Sequence, residues 1–188
     1  WPVFADPISG IDFDLSGLIE NWEIILSTKQ LKLQCAQLLR IGPMSTSNDL
    51  EKFLEDFKGN QYLIKEKDYR NLDPLNNSTQ YAFGIQRFVE DLIKHKTHKD
   101  LLAKDLTPLA KRLIREGKRI STVLDDSFSI EQKITECLLA HFIPNVWPIN
   151  YPIMISASSP IRDWLTFSSN KTLTRRCFSF RGASGIDG

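Results

Sequence analysis

Two short segments of this sequence combine the residue types that hold an anion. Ser158-Ser159-Pro160-Ile161-Arg162 and Arg181-Gly182-Ala183-Ser184-Gly185 each place serine hydroxyls, loop amides and one guanidinium within five residues. A guanidinium holds a carboxylate or phosphate through two parallel hydrogen bonds, and glycine lets backbone amides come close to such a group. If each segment follows a strand of one open α/β sheet, the two converge at the strands' carboxyl ends, where such sheets bind ligands. From types and spacing alone the alternative stays open that Arg162 pairs with Asp163 on a surface helix and the glycines only form a turn.

Other chemistries have weaker support. In His95-Lys96-Thr97-His98-Lys99 the histidines sit among lysines with no carboxylate cluster nearby, so they read as a solvated helix end and not as a metal pair. His141, near an apolar helix end, reads as structural. No Ser-His-Asp order stands out, and Gly182-Ala183-Ser184-Gly185 lacks the Gly-x-Ser-x-Gly spacing of a nucleophile turn. Asp49, Glu51, Glu55 and Asp56 read as the wet face of a helix, and the four tryptophans as core or interface filler.

The elements that would position the two segments alternate between strand and helix patterns. Trp1-Pro2-Val3-Phe4-Ala5 is a short apolar run closed by Asp6-Pro7 and Ser9-Gly10, which predicts a buried strand. Leu18, Ile19, Trp22, Ile25 and Leu26 recur at helical spacing. Gln37–Ile41 predicts a second strand leaving through Gly42-Pro43. Ser47 is the expected N-cap of a helix whose apolar face is Leu50, Phe53, Leu54 and Phe57. Tyr62-Leu63-Ile64 predicts a third strand, Asp73-Pro74 a loop, and Ile85, Phe88, Val89, Leu92 and Ile93 another helix face. Such alternation argues for a parallel sheet flanked by helices.

From about Asp100 to Leu124 the helical spacing of Leu102, Leu106, Leu109, Leu113 and Ile114 lies among many lysines and arginines. This predicts a connecting helix on the surface, broken at Asp125-Asp126-Ser127. Ser129 with Gln132 has the pattern of a capping box, and Ile130, Ile134 and Leu138 predict a new helix. Pro152–Ile155 then predicts a strand, Ser158–Thr166 a helix entered through Pro160, and Arg176–Phe180 the next strand, ending on the glycine-rich loop.

Composition limits the function classes. The 188 residues are 41% hydrophobic and 25% charged, a soluble globular profile. With 24 basic and 23 acidic residues the net charge is +1, so no overall field points to nucleic acid or to an anionic membrane as partner. No apolar run reaches the roughly 18 residues of a spanning helix. No secretory signal is expected, so Asn77-Ser78-Thr79 and Asn170-Lys171-Thr172 read as chance sequons. Cys35, Cys137 and Cys177, odd in number and far apart, suit reduced thiols in a cytoplasm. The sequence opens inside a predicted strand and stops on a glycine loop, so an internal fragment is expected, inactive by itself.

Arg181-Gly182-Ala183-Ser184-Gly185-Ile186-Asp187-Gly188 resembles, at all eight positions, the R-G-A-S-G-I-D-G signature of the 2-succinyl-5-enolpyruvyl-6-hydroxy-3-cyclohexene-1-carboxylate synthases, the MenD family. Ser158-Ser159-Pro160-Ile161-Arg162-Asp163 is similar to the family's S-x-P-I-R-D segment. Trp1–Asp6 with Ser9-Gly10, Arg40-Ile41-Gly42 with Thr46-Ser47, and Asp73-Pro74 resemble further landmarks in the family's order. Three positions depart from the pattern. Ala157 and Phe180 stand where asparagine is common before the serine and before the arginine. Asn48 stands where the T-S-K pattern has lysine, which puts the basic contact from the central domain in question.

The resemblance implies a decarboxylating carbon–carbon bond formation between 2-oxoglutarate and isochorismate on thiamine diphosphate with Mg2+ or Mn2+, in menaquinone or phylloquinone biosynthesis. Carbanion stabilisation is the cofactor's chemistry, while the protein supplies position and charge. The implied fold is α/β: a partial parallel Rossmann-like sheet of the central domain, plus the first β-α-β of the diphosphate-binding domain. Residues 1–124 would be the truncated central domain with its connecting helix, and residues 125–188 the start of the third domain. Carried over residue by residue, Ser158, Arg162 and Arg181 are the expected substrate-binding positions. Ser158, Gly185 and Ile186 are expected beside the cofactor, Ile186 as the apolar wedge that bends it. The activating glutamate and the metal motif fall on no residue of this sequence. A cytoplasmic homodimer or tetramer is implied, with no nucleic-acid or membrane partner. The alternatives are another thiamine-dependent 2-oxo-acid decarboxylase or carboligase, and a non-catalytic Rossmann-like binding module.

Overall fold

The computed structural model describes residues 1–11, 15–28, 35–95, 105–130, 133–148, 150–168 and 176–180. These form two compact units, one of Lys32–Asp105 and one of Trp1–Leu31 with Leu106–Gly188. Both are α/β, and every strand pair in them is parallel.

In the unit Lys32–Asp105, strand β1 (Gln37–Ile41) leads through helix α2 (Asn48–Asp56) to β2 (Asn60–Ile64), then β3 (Thr79–Tyr81) and helix α3 (Ile85–His95). The sheet order is β1-β2-β3. β2 lies in the middle, so Leu63 and Ile64 are fully buried while β1 and β3 keep exposed positions. Gly42 adopts φ +84 to leave β1, with its amide bonded to Ile64 O at 2.9 Å. Ser47 caps α2 as expected, its hydroxyl accepting from Leu50 N at 2.9 Å. Two amide side chains, Gln61 from β2 and Asn77, donate to Leu54 O at 2.8 and 2.9 Å, satisfying a last-turn carbonyl that the helix leaves open. α3 forms as its spacing predicts, although none of its residues is buried.

The Asp73-Pro74 loop is built around a buried carboxylate. Asp73, 1% exposed, accepts at Oδ2 from Asn77 N (3.0 Å), Ser78 N (2.9 Å) and Ser78 Oγ (2.6 Å), while Oδ1 meets Arg40 Nη2 at 2.8 Å. Burial alone would push this carboxyl up; the bonds from Ser78, Arg40 and Asn77 outweigh it and hold it below the usual carboxylate range. Beside it, buried Lys65 donates to Gln80 Oε1 at 3.1 Å and to Arg70 O. This polar knot presents Thr79–Tyr81 to β2 as an edge strand that the hydrophobic pattern did not predict.

In the other unit, helix α1 (Trp22–Ser27) is followed by α4 (Pro108–Ser129), α5 (Glu136–Val146), β4 (Ile153–Ile155), α6 (Ser159–Phe167) and β5 (Cys177–Ser179). The strand expected over Trp1–Ala5 is reduced to one bridge, Val3 to Leu18. Pro2 has no amide for a ladder, and the opposing chain turns at Gly17 (φ +93) into α1. The run still packs: Trp22 Nε1 donates to Ala5 O at 2.9 Å, and its ring stacks on Phe4.

α4 buries one stripe, Ala110, Leu113, Gly117 and Ile120, and exposes its lysines and arginines. It does not break at Asp125-Asp126-Ser127. Such residues cost only fractions of a kcal/mol each in a helix, about 0.7 at most. Their polar groups are satisfied locally, as where Ser127 Oγ donates to Val123 O at 2.7 Å. The capping box expected from Ser129 does not start the next helix either. Thr135 caps α5 instead, accepting from Leu138 N at 3.2 Å, and Ile130 and Ile134 are each 79% exposed. Gln132 lies outside the described residues.

β4, α6 and β5 form a parallel β-α-β unit with register Ile153↔Cys177, Met154↔Phe178 and Ile155↔Ser179. Ile153, Ile155, Ile161, Trp164 and Cys177 make its core, with Ile8 and Ile143 packed against it. Among the described residues no helix is long and apolar enough to cross a membrane.

Candidate functional site

Parallel pairing puts the carboxyl ends of β4 and β5 side by side. β4 ends at Ile155, opposite Ser179, the last residue of β5. The chain leaves β4 through Ser156 and Ala157 to Ser158, and leaves β5 through Phe180, so the two expected anion-binding segments start from neighbouring strand ends. Ser158 opens α6 (Ser159–Phe167) just beyond the end of β4, and Arg162 lies four residues further on. Arg181, Gly185 and Ile186 lie outside the described residues.

Ser158 holds an unusual backbone. As the N-cap residue of α6 it sits at φ 72, ψ −130, a region that favours glycine, and its side chain makes no capping bond. A non-glycine residue held there costs about 1–3 kcal/mol and persists where the surroundings enforce it, often at ligand sites. The Ser158 side chain takes up none of the first-turn amides of α6, and such amides, reinforced by the helix dipole, favour an anion. Pro160 supplies no amide in that turn, so the donors are few and fixed in direction.

Arg162 is exposed, one turn into α6. Next to it, burial and then the charge of Glu136 push the Asp163 carboxyl up. Burial, followed by the charge of Asp163, also pushes the Cys137 thiol up, so this cysteine is no ready nucleophile.

Among the described residues no group of three or more His, Cys, Asp or Glu side chains is placed to hold a metal ion. Asn48, at the departure from the T-S-K pattern, is the exposed first residue of α2 and brings no charge to that loop.

No motif or spacing signals what fixes the far end of α6. Its last-turn carbonyls meet two side chains from other elements: Asn21 Nδ2 donates to Thr166 O at 3.4 Å, and the His141 ring meets Phe167 O at 2.9 Å. A buried histidine on an apolar helix could be read only as structural without knowing its partners.

No family model matches the chain. Curated relatives do, over its whole length. The chain is 56% identical over 188 residues to the 2-succinyl-5-enolpyruvyl-6-hydroxy-3-cyclohexene-1-carboxylate synthase of Prochlorococcus marinus strain MIT 9515. It is 57% identical to that of strain MIT 9301 over the same length, and 41% identical over 191 residues to that of strain NATL1A. In each case all of this chain is covered and 32% of the relative, so the chain spans about a third of the length of the curated relatives it matches. The chain is thus related along its entire length to these synthases, which bears out the resemblance read from its glycine-rich signature.

Proposed function

We propose that this chain is one part of a 2-succinyl-5-enolpyruvyl-6-hydroxy-3-cyclohexene-1-carboxylate synthase, and that the N-terminal end of α6 helps to hold a substrate carboxylate. The observation that carries this reading is the parallel β4-α6-β5 unit. It sets Ser158, in its strained turn, at the edge where β5 runs on towards Arg181. The whole-length likeness to the Prochlorococcus synthases supports the same reading.

In this reading Arg162 and Arg181 bind the carboxylates of 2-oxoglutarate and isochorismate, and a fixed guanidinium suits such groups. The residues present fit an anionic cofactor end as well, since the uncapped first turn of α6 offers amides to it. Ser158, Gly185 and Ile186 would lie beside thiamine diphosphate, with Mg2+ or Mn2+ held elsewhere in the protein. When bound, that cofactor supplies the decarboxylating carbon–carbon chemistry. The side chains of this chain orient the acids, neutralise their charge and, through Ile186, hold an apolar wall.

The same proposal includes menaquinone or phylloquinone biosynthesis, a cytoplasmic homodimer or tetramer, and a Rossmann-like arrangement of the central-domain sheet, followed by the first β-α-β of the diphosphate-binding domain. It also assigns residues 1–124 to a central domain and 125–188 to the opening of a diphosphate-binding domain. The last division falls within α4, which runs unbroken through that point.

The test uses the complete polypeptide that contains this chain, incubated with thiamine diphosphate, magnesium, 2-oxoglutarate and isochorismate. Mass detection of an adduct that needs all four components is the expected result. Loss of 2-oxoglutarate without adduct would move the assignment to a related decarboxylase, and no reaction would move it to a binding module. In an active protein, Arg162→Ala and Arg181→Ala each raise the KM for an acid substrate. Unchanged kinetics for both would remove the site assignment.

A further inference from the structure

His141 is buried, 2% exposed, on the otherwise apolar helix α5. Its two ring nitrogens meet two different helices. Nδ1 lies 2.9 Å from Phe167 O at the end of α6, and Nε2 lies 2.9 Å from Asp125 Oδ1 on α4. The ring is packed between Phe128 of α4, at 4.9 Å between centroids, and Phe142 of α5, at 5.3 Å. A backbone carbonyl and a carboxylate only accept, so the ring satisfies both neighbours when each nitrogen carries a proton. Phe167 O is one of the carbonyls a helix leaves open at its C-terminal end, and a donor there, better still a cationic one, is favourable.

We propose that His141 is a positioning residue, which fixes α6 at its C-terminal end and so sets where Ser158 and Arg162 stand at the other. This rests on the reading that those two residues meet substrate. α6 is a single nine-residue helix, about 14 Å long at 1.5 Å per residue, so a shift at Phe167 is carried to the sheet edge. Asn21 holds the neighbouring carbonyl, Thr166 O, from before α1. The end of α6 thus sits in a socket of two side chains drawn from distant parts of the chain. Asp125, whose side chain is 63% exposed, anchors the ring from behind. The Ser158 turn fits this arrangement, because a strained φ is kept only where the flanking elements are fixed.

Two near-isosteric changes separate this role from plain structure. His141→Asn keeps an amide donor near the Nδ1 position, towards Phe167 O, and gives up Asp125. His141→Gln keeps one near the Nε2 position, towards Asp125, and gives up Phe167 O. Each loses one bond and the aromatic packing, so a merely structural histidine makes the two alike. In the complete enzyme, alongside Arg162→Ala, the expected result is near wild-type kcat/KM for the Asn variant. For the Gln variant a loss of about a hundredfold is expected, the scale of a misplacement of one ångström. Both variants should show similar thermal midpoints. If Arg162→Ala impairs the enzyme and the Asn and Gln variants behave alike, the positioning role is overturned while the site stands. If Arg162→Ala changes nothing, the site reading fails, and this inference with it. Should the His141 variants not fold, Asn21→Gly decides, since it removes the donor to Thr166 O at the same helix end and suits the left-handed backbone there: a drop in kcat/KM supports positioning from this end, and an unchanged value overturns it.

Discussion

Asp73→Asn asks what holds the unit Lys32–Asp105 together. The carboxylate is buried and takes three bonds at Oδ2 and the Arg40 guanidinium at Oδ1. An asparagine in either orientation turns its NH2 towards a donor, either Arg40 or the Asn77–Ser78 group, and leaves Arg40 without its counter-charge. Removing one partner of a buried pair costs about 3–5 kcal/mol. Arg40 is 10% exposed and keeps Ser78 Oγ at 3.2 Å, which sets this case at the lower end, about 3 kcal/mol. That is roughly a hundredfold in the opening equilibrium, at 1.4 kcal/mol per decade. Hydrogen exchange of β1, β2 and β3 peptides, wild type against variant, reads it directly. The pH dependence has a fixed sign. The Asp73 carboxyl lies below its ordinary value in the folded chain. Its stabilisation is therefore complete above the unfolded value of about 4 and is lost as pH falls through the folded one. The difference between wild type and variant should be full at neutral pH and shrink in acid. Equal protection at neutral pH, or a gap that widens on acidification, refutes the reasoning.

Two further substitutions test the packing of the other unit. Alanine is better than glycine inside a helix by about 1 kcal/mol, yet Gly117→Ala should lower the thermal midpoint. Its Cβ would lie 2.5 Å from Glu20 O, a backbone atom, and overpacking costs about 1–3 kcal/mol; a raised midpoint would contradict this. Trp22→Phe and Trp164→Phe both trim a buried indole, but Trp22 Nε1 has an acceptor, Ala5 O, while Trp164 Nε1 is buried without one among the described residues. Trp22→Phe should therefore be the more destabilising by about 1 kcal/mol, the worth of one hydrogen bond, and equal losses in paired melts would contradict this.

What the sequence made legible is what depends on repeated pattern. β1, β2, β4 and β5, the Ser47 cap, the face of α2 and the helix α3 follow from apolar spacing and one capping residue, although the apolar face expected on α3 is not buried. The misses have a different cause. Thr79–Tyr81 becomes a strand because Asp73, Asn77 and Ser78 fix the loop before it. α4 continues through Asp125–Ser127 because distant contacts to α5 override a weak local preference. At the proposed site, Ser158 and Arg162 stand out by type and by family resemblance, while the strained turn of Ser158 leaves no mark on composition.

The polar residues that were hardest to interpret from sequence are those that join separate elements. Asp73 joins a loop to β1 through Arg40, and His141 joins α4 and α6 across α5. Apolar burial is roughly proportional to area and has no direction, so it can decide which face of a helix turns inward without fixing the helix along its axis. A hydrogen bond has a direction and a length, and a buried one is costly to leave unmade. For a site at the tip of α6, the apolar pattern settles that Ile161, Trp164 and Leu165 face inward. We propose that the bonds at Thr166 O and Phe167 O set how far the tip reaches. If that is right, placing Arg162 depends as much on His141 and Asn21 as on the sheet edge beside it.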